Sequence, residues 1–169
     1  MRLIFILIII FILGSCKTEK KENTLKAVNW EKRTVGTNLI SNFQTGRTYL
    51  PVYSEIYDQT DENTHLLTIT VSIRNTSDSD SLFITTADYY NTKGEQIRKY
   101  VTKPVFLTPL ETIEIVIPRL DTSGGTGANF IFDWSIKNPK YEPYFEAVMI
   151  WTTGTQGISF VTHGINYKD

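Results

Sequence analysis

The sequence predicts an all-β fold, an antiparallel sandwich of immunoglobulin-like arrangement with about seven or eight strands. Three observations carry this. The dominant hydrophobic period from Tyr49 onward is two. Turn-forming clusters punctuate the chain every 8–15 residues. No segment of ten or more residues carries a convincing helical pattern. A small closed barrel is the second reading of the same pattern.

Each strand has its own signature. Leu67, Ile69, Val71 and Ile73 alternate with Thr68, Thr70, Ser72 and Arg74, as in a strand with one dry and one wet face. Ile113, Ile115 and Ile117 alternate with Thr112, Glu114 and Val116. Phe130, Phe132, Trp134 and Ile136 share a face opposite Asp133 and Ser135. Val148 and Ile150 lie opposite Met149 and Trp151, which predicts a strand covered on both faces. Ile158 and Phe160 mark one more short strand, and Gln96–Lys103 is ambiguous between strand and helix.

The connections also have chemistry. Asn75-Thr76-Ser77-Asp78-Ser79-Asp80 is rich in side chains that bond their own backbone, so its glycosylation-like Asn-Thr-Ser triplet reads as a turn. Asn91-Thr92-Lys93-Gly94 places glycine where a hairpin wants positive φ. Pro109 precedes a strand at a tolerated position.

The N-terminus gives the address. Met1-Arg2 is followed by an unbroken apolar run, Leu3 to Leu13, then Leu13-Gly14-Ser15-Cys16. Eleven apolar residues suit a signal peptide and fall well short of the roughly 20 needed to span a bilayer. Leu13-Gly14-Ser15-Cys16 resembles the lipobox of bacterial lipoproteins, and Cys16 is the only cysteine of the chain. The resemblance implies cleavage before Cys16 and lipidation of its thiol, with palmitate among the acyl groups. Two or three acyl chains would anchor stably, since each buried CH₂ contributes about 0.8 kcal/mol. Lys17, rather than aspartate, follows the cysteine. By resemblance to Gram-negative sorting this implies the cell outer membrane, on the periplasm side or the outer face alike. The domain plan is therefore a signal peptide over 1–15, a lipidated N-terminus and flexible tether over 16–40, and a β-sandwich over 41–169.

Bulk composition narrows the function classes. The chain has 169 residues, 41% hydrophobic and 21% charged, as in an ordinary globular domain. Charges are nearly balanced, 17 basic against 18 acidic, with no basic stripe of the kind nucleic acid requires. A single cysteine excludes an intramolecular disulfide, a thiolate zinc cluster and a CxxC redox pair. No cofactor and no metal is expected.

The candidate site is a loop of Asp121, Thr122, Ser123, Gly124, Gly125, Thr126, Gly127, Ala128 and Asn129. Its glycines would let backbone N–H groups converge as in an anion nest, with hydroxyls from Thr122, Ser123 and Thr126 and with Asp121 and Asn129 fixing the loop. The Gly-Lys-Ser/Thr ending of a P-loop is missing, and a tight inter-strand loop explains the glycines equally. Trp151 to Gly157 is a second Gly/Thr loop, which a sandwich could place at the same end. His65 and His163 lack metal-type spacing. Asp58, Asp61 and Glu62 lack a calcium-loop pattern. Tyr49, Tyr53, Tyr57, Tyr89, Tyr90 and Tyr100 serve either an interface or cross-strand packing. No Gly-x-Ser-x-Gly elbow is present, and a catalytic residue is not assigned.

Several stretches together resemble an uncharacterised bacterial family of small exported β-rich proteins, a domain of unknown function. They are RTYLPVYSEIY (47–57), LTITVSIRNT (67–76), DYYNTKGE (88–95), KPVFLTPLETIEIVI (103–117), DTSGGTGANFIFDW (121–134) and EAVMIWTTGTQGISFVTHG (146–164). DTSGGTGANF with QGISF is the specific combination. The resemblance implies an exported domain over residues 47–164 and no particular chemistry. The order of strands and turns is also similar to bacterial immunoglobulin-like surface domains, which mostly bind, space or scaffold. The sequence thus favours a non-enzymatic binding module of the cell envelope, anchored in the membrane, with an envelope protein or glycan as partner. An enzyme with a site around the Gly-rich loop, and a purely structural envelope component, are the alternatives.

Overall fold

A computed structural model describes residues 28–167, so the signal peptide, Cys16 and the first part of the tether lie outside the described residues. The described chain is all-β, as expected, and its strands form antiparallel sheets. In order these are β1 (Gln44–Val52), β2 (Glu55–Asp58), β3 (Thr60–Leu66), β4 (Thr68–Arg74), β5 (Leu82–Tyr90) and β6 (Gln96–Val101). There follow β7 (Val105–Leu107), β8 (Thr112–Ile117), β9 (Ala128–Ile136), β10 (Tyr144–Thr153), β11 (Gln156–His163) and β12 (Ile165–Asn166). The count exceeds the expected seven or eight. Short edge strands such as β7 and β12, and the polar hairpin β2–β3, leave no alternating pattern to read. The ambiguous Gln96–Lys103 stretch is a strand through Val101.

One sheet runs β12-β1-β9-β5-β6 with β7 also on β5; the other runs β11-β10-β4-β8; β2 and β3 form a separate hairpin. The orders β12-β1-β9-β5 and β11-β10-β4 match the A-B-E-D and G-F-C sheets of an immunoglobulin sandwich. Beyond the β6 and β7 additions to β5 and the separate β2–β3 hairpin, two features depart from it. The C-terminal β12 takes the place of strand A, and β8 is an added edge beside β4.

The expected inward faces make the core. Leu50, Val52, Ile84, Phe130, Phe132 and Trp134 from the larger sheet are buried, as are Ile69, Ile73, Ile115, Ile117, Phe145 and Met149 from the smaller one. A run of rings ties the sheets together: Tyr89 on Phe130 at 4.8 Å, Phe130 on Phe132 at 5.4 Å, and Phe132 across to Phe145 at 4.6 Å. Trp134 donates its indole N–H to Thr48 Oγ1 at 2.9 Å, so its one polar atom is satisfied inside the core. The strand at Val148–Trp151 is not covered on both faces. Met149 is fully buried, while Ile150 is 44% exposed on an open outer face.

The turns follow the residues read as turn formers. Asn75 is buried and its side-chain N–H₂ donates to the carbonyls of Asp80 and Thr108, both at 2.9 Å, while its Oδ1 accepts from Ser77 N–H. That leaves its amide committed to the turn. Gly94 adopts φ +77° in the β5–β6 hairpin.

Residues 28–40, expected as the end of the tether, lie against the body. Val28 and Trp30 pack on the core, Thr34 bridges Val105, and Val35 N–H donates to the Pro104 carbonyl at 2.8 Å. Arg33 forms a forked pair with Glu111 at 2.6 and 3.0 Å. Val28 and Trp30, with Ile40 buried at the other end of the stretch, dock it where the sandwich is open between β8 and the β6–β7 edge.

Candidate functional site

Strand register gathers the candidate loops at one end. Val52 pairs with Ala128, Tyr90 with Asn129, Thr68 with Ile150, and Ile69 with Ile117. The Gly-rich loop, the turn at 91–95, the β2–β3 hairpin and the β10–β11 turn therefore leave the sandwich at the same end. The two Gly/Thr loops thus share that end. Past Ile150 only β11 still pairs with β10, through Trp151–Thr153, so this hairpin projects beyond its sheet. Gly154, at φ +59°, makes its tip.

Inside the Gly-rich loop most backbone donors are already committed. Gly125 N–H donates to Thr122 O at 3.1 Å, Gly127 N–H to Thr92 Oγ1 at 2.9 Å, and Ser123 N–H to Asp121 Oδ1 at 3.3 Å. The loop carbonyls are used as well. Gly124 O accepts from Thr92 N–H, and Gly125 O from Ser54 N–H. Gly124 is buried over the Ser54–Tyr89 hydroxyl pair, which is itself 2.9 Å apart. The glycines thus answer close approach and, at Gly125, a φ of +72°. This arrangement supplies a stiff platform rather than an open anion nest. Thr122 and Ser123 face solvent, Thr126 is half-buried, and Asn129 stands half-buried at the start of β9.

Charge in this loop is also internally paired. Arg98 reaches Asp121 Oδ2 at 2.8 Å and the Tyr100 hydroxyl at 2.8 Å. Ser123 donates its hydroxyl to the other Asp121 oxygen. Burial opposes the Asp121 charge, but these bonds outweigh it and hold the carboxyl below its ordinary value. The guanidinium of Arg33 lowers Glu111 in the same way, and Arg47 lowers Asp133.

A pH dependence follows. All three carboxyls are harder to protonate folded than unfolded. The folded state then binds fewer protons in acid, and stability drops as pH falls from about 4 through the lower folded values. Melting temperature recorded from pH 7 to pH 2.5 is expected to be flat and then to fall. Glu111→Gln is expected to lower it at pH 7 and to shrink the acid-side drop.

The remaining candidates separate. His65 stacks on Trp151 with centroids 4.3 Å apart, and its Nε2 lies 3.3 Å from Asp58 Oδ2. This contact joins the bases of the two projecting hairpins. His163 bonds the Tyr144 hydroxyl at 2.6 Å and pairs in register with Glu146. Five residues of β10 separate Glu146 from Trp151, about 17 Å at strand rise. The two histidines therefore do not meet, and His163 does not join Asp121 and Ser123 in a cleft. Among the described residues, no group of three or more His, Cys, Asp or Glu side chains converges as a metal site.

Most tyrosines are structural. Tyr89 is core, Tyr53 packs edge-on against Phe160 at 5.7 Å, and Tyr100 lies against Phe130 at 5.7 Å. Tyr49 and Tyr90 are half-buried on the outer face of the larger sheet. Only Tyr57, 60% exposed on β2, is fully presented at the loop end.

A concavity that the sequence reading missed lies between residues 28–33 and β8. It has a volume of about 980 Å³, with Trp30, Tyr100, Phe106, Ile113 and Ile115 among its walls. The one signal for it was the Val28-x-Trp30 pair in an otherwise polar segment.

The family model described as "Protein of unknown function (DUF3124)" matches residues 45–166. No curated protein and no solved structure matches the chain.

Proposed function

We propose, from the premise that this chain belongs to the family described as "Protein of unknown function (DUF3124)", that it is a lipid-anchored, non-enzymatic module of the bacterial envelope. It recognises a protein or glycan partner through the loop end of the sandwich. The observation that carries this reading is the pair of hairpins at that end. β2–β3 and β10–β11 project side by side, braced at their bases by the His65–Trp151 stack. They stand on a Gly-rich loop whose own groups are committed to rigidity. Binding residues sit disproportionately on loops held by such scaffolds. The presented groups are of recognition type: Tyr57, the carboxylates of Asp61 and Glu62, and the hydroxyls of Thr152, Thr153 and Thr155.

The anchor rests on Cys16 and its Leu13-Gly14-Ser15 approach. Lys17 favours the outer membrane of a Gram-negative cell.

A photoreactive amino acid placed at Tyr57 or Thr155 of the full chain tests the reading in intact cells. Both positions are expected to capture one envelope component in near-stoichiometric yield. Lys140, in the β9–β10 connection at the other end, should capture little. Equal capture at all three positions, or none at the tips, would overturn it.

A further inference from the structure

We propose that β11 is a pairing edge for a second copy of this chain, joining two sandwiches by antiparallel β11–β11 contact. The case begins with how the four sheet edges are treated. An unpaired edge invites strand addition, and natural proteins blunt it with charge, bulges, shortness or a cover. Three edges here are blunted. β12 is two residues long. β6 carries Arg98 and Lys99 and has two register breaks against β5. β8 has residues 28–33 lying across from it, held by Arg33–Glu111.

β11 has none of these devices. It pairs with β10 through all eight residues in unbroken register, and among the described residues no strand pairs with its far side, although Thr162 Oγ1 donates to the Pro51 carbonyl at 2.6 Å and Phe160 meets Tyr53. Its sequence, Gln156-Gly157-Ile158-Ser159-Phe160-Val161-Thr162-His163, contains no Lys, Arg, Asp, Glu or Pro. The exposed apolar surface concentrates beside it. Of the ten exposed large hydrophobics among the described residues, Tyr144, Ile150, Ile158, Val161, Ile165 and Tyr167 lie in or next to the last three strands.

A second copy is the occupant these features fit. Each chain offers the same eight-residue edge, about 27 Å long, so one two-fold contact would satisfy both edges at once. Centred on Ser159, which then faces its own copy, it sets Gln156 of one copy against Thr162 of the other and opposes no like charges. A charged partner strand would find no counter-charge on β11. If the lipid anchor of the previous section holds, both copies also share one membrane surface, which raises their effective concentration.

The test uses the mature full chain in detergent, followed by sedimentation. The native chain is expected to be a dimer at micromolar concentration. Ile158→Lys with Val161→Lys should make it a monomer, with β-sheet circular dichroism and melting retained. Ser159→Cys, near the two-fold, should oxidise to a disulfide-linked dimer. Gln156→Cys, whose counterpart would lie about 20 Å away, should not. A monomeric native chain, a dimer that survives the two lysines, or equal crosslinking at positions 156 and 159 would overturn the proposal. Tip variants such as Tyr57→Ala should leave the dimer intact, so its failure and that of the partner-binding reading are separable.

Discussion

Gly124→Ala is expected to destabilise the domain by about 3 kcal/mol, at the upper end of what an overpacked methyl costs. A Cβ built on Gly124 falls 2.0 Å from the Tyr89 hydroxyl, 2.6 Å from Ser54 Oγ and 2.8 Å from Ala128 Cβ. None of these neighbours can yield easily. Tyr89 is fully buried and stacked on Phe130, Ser54 is fully buried, and Ala128 is the first residue of a central strand. The backbone conformation is not the reason, because Gly124 has φ −75°. At this chain length the loss corresponds to a fall in melting temperature of roughly 10 °C. Two comparisons isolate the cause. Gly94→Ala, where φ is +77° but nothing lies within 4 Å, should cost only about 1 kcal/mol. Tyr89→Phe removes the closest clashing atom, so the double variant should be less destabilised than the sum of the singles. Denaturant unfolding of the native protein and these four variants decides the matter; strict additivity would mean that the loop relaxes by another route.

Cys16→Ser is expected to move the protein from the membrane fraction to the soluble fraction of the envelope, with folding untouched. The physical argument is one of chain number. A single acyl chain binds marginally, and two or more hold stably, so losing the proposed lipidation site would remove the whole anchor rather than weaken it. The chain has no other cysteine to take its place. Fractionation of cells expressing either form, with melting of the soluble variant as a control for folding, gives the answer. Retention of Cys16→Ser in the membrane fraction would mean that the apolar run Leu3–Leu13, or a bound partner, holds the protein there.

Strands with one dry and one wet face were legible because alternation is a local record of a global fact. Ile69, Val71 and Ile73 announce a buried face in five residues, and Phe130, Phe132 and Trp134 do so in another five. Turns whose side chains satisfy their own backbone, such as Asn75 with Ser77 and Asn91 with Lys93, were legible for the same reason. The hairpin β2–β3 was not. Its residues Thr60 to Thr64 are all exposed, so the period carries no information, and pairing with β2 alone makes it a strand. The docking of residues 28–40 was hidden because it depends on a gap between two sheet edges that are distant in sequence.

The candidate site divides along the same line. The sequence by itself determined that a Gly/Thr/Ser-rich segment with special backbone needs precedes β9, and that Cys16 stands where lipidation chemistry would use it. It also determined the all-β class, since period-two burial and turn chemistry are both local. Only the tertiary structure decided what the glycines are for. Gly124 must be glycine because of Tyr89 and Ser54, 35 and 70 residues away in the chain, and a Cβ at Gly127 would crowd Thr92 Cγ2 at 3.3 Å. Only the structure, too, set His65 on Trp151, kept His163 away from Asp121, and left one side of β11 without a strand among the described residues. Each of these is fixed by strand order, and strand order arises from which buried faces pack together, a relation that no window along the chain contains.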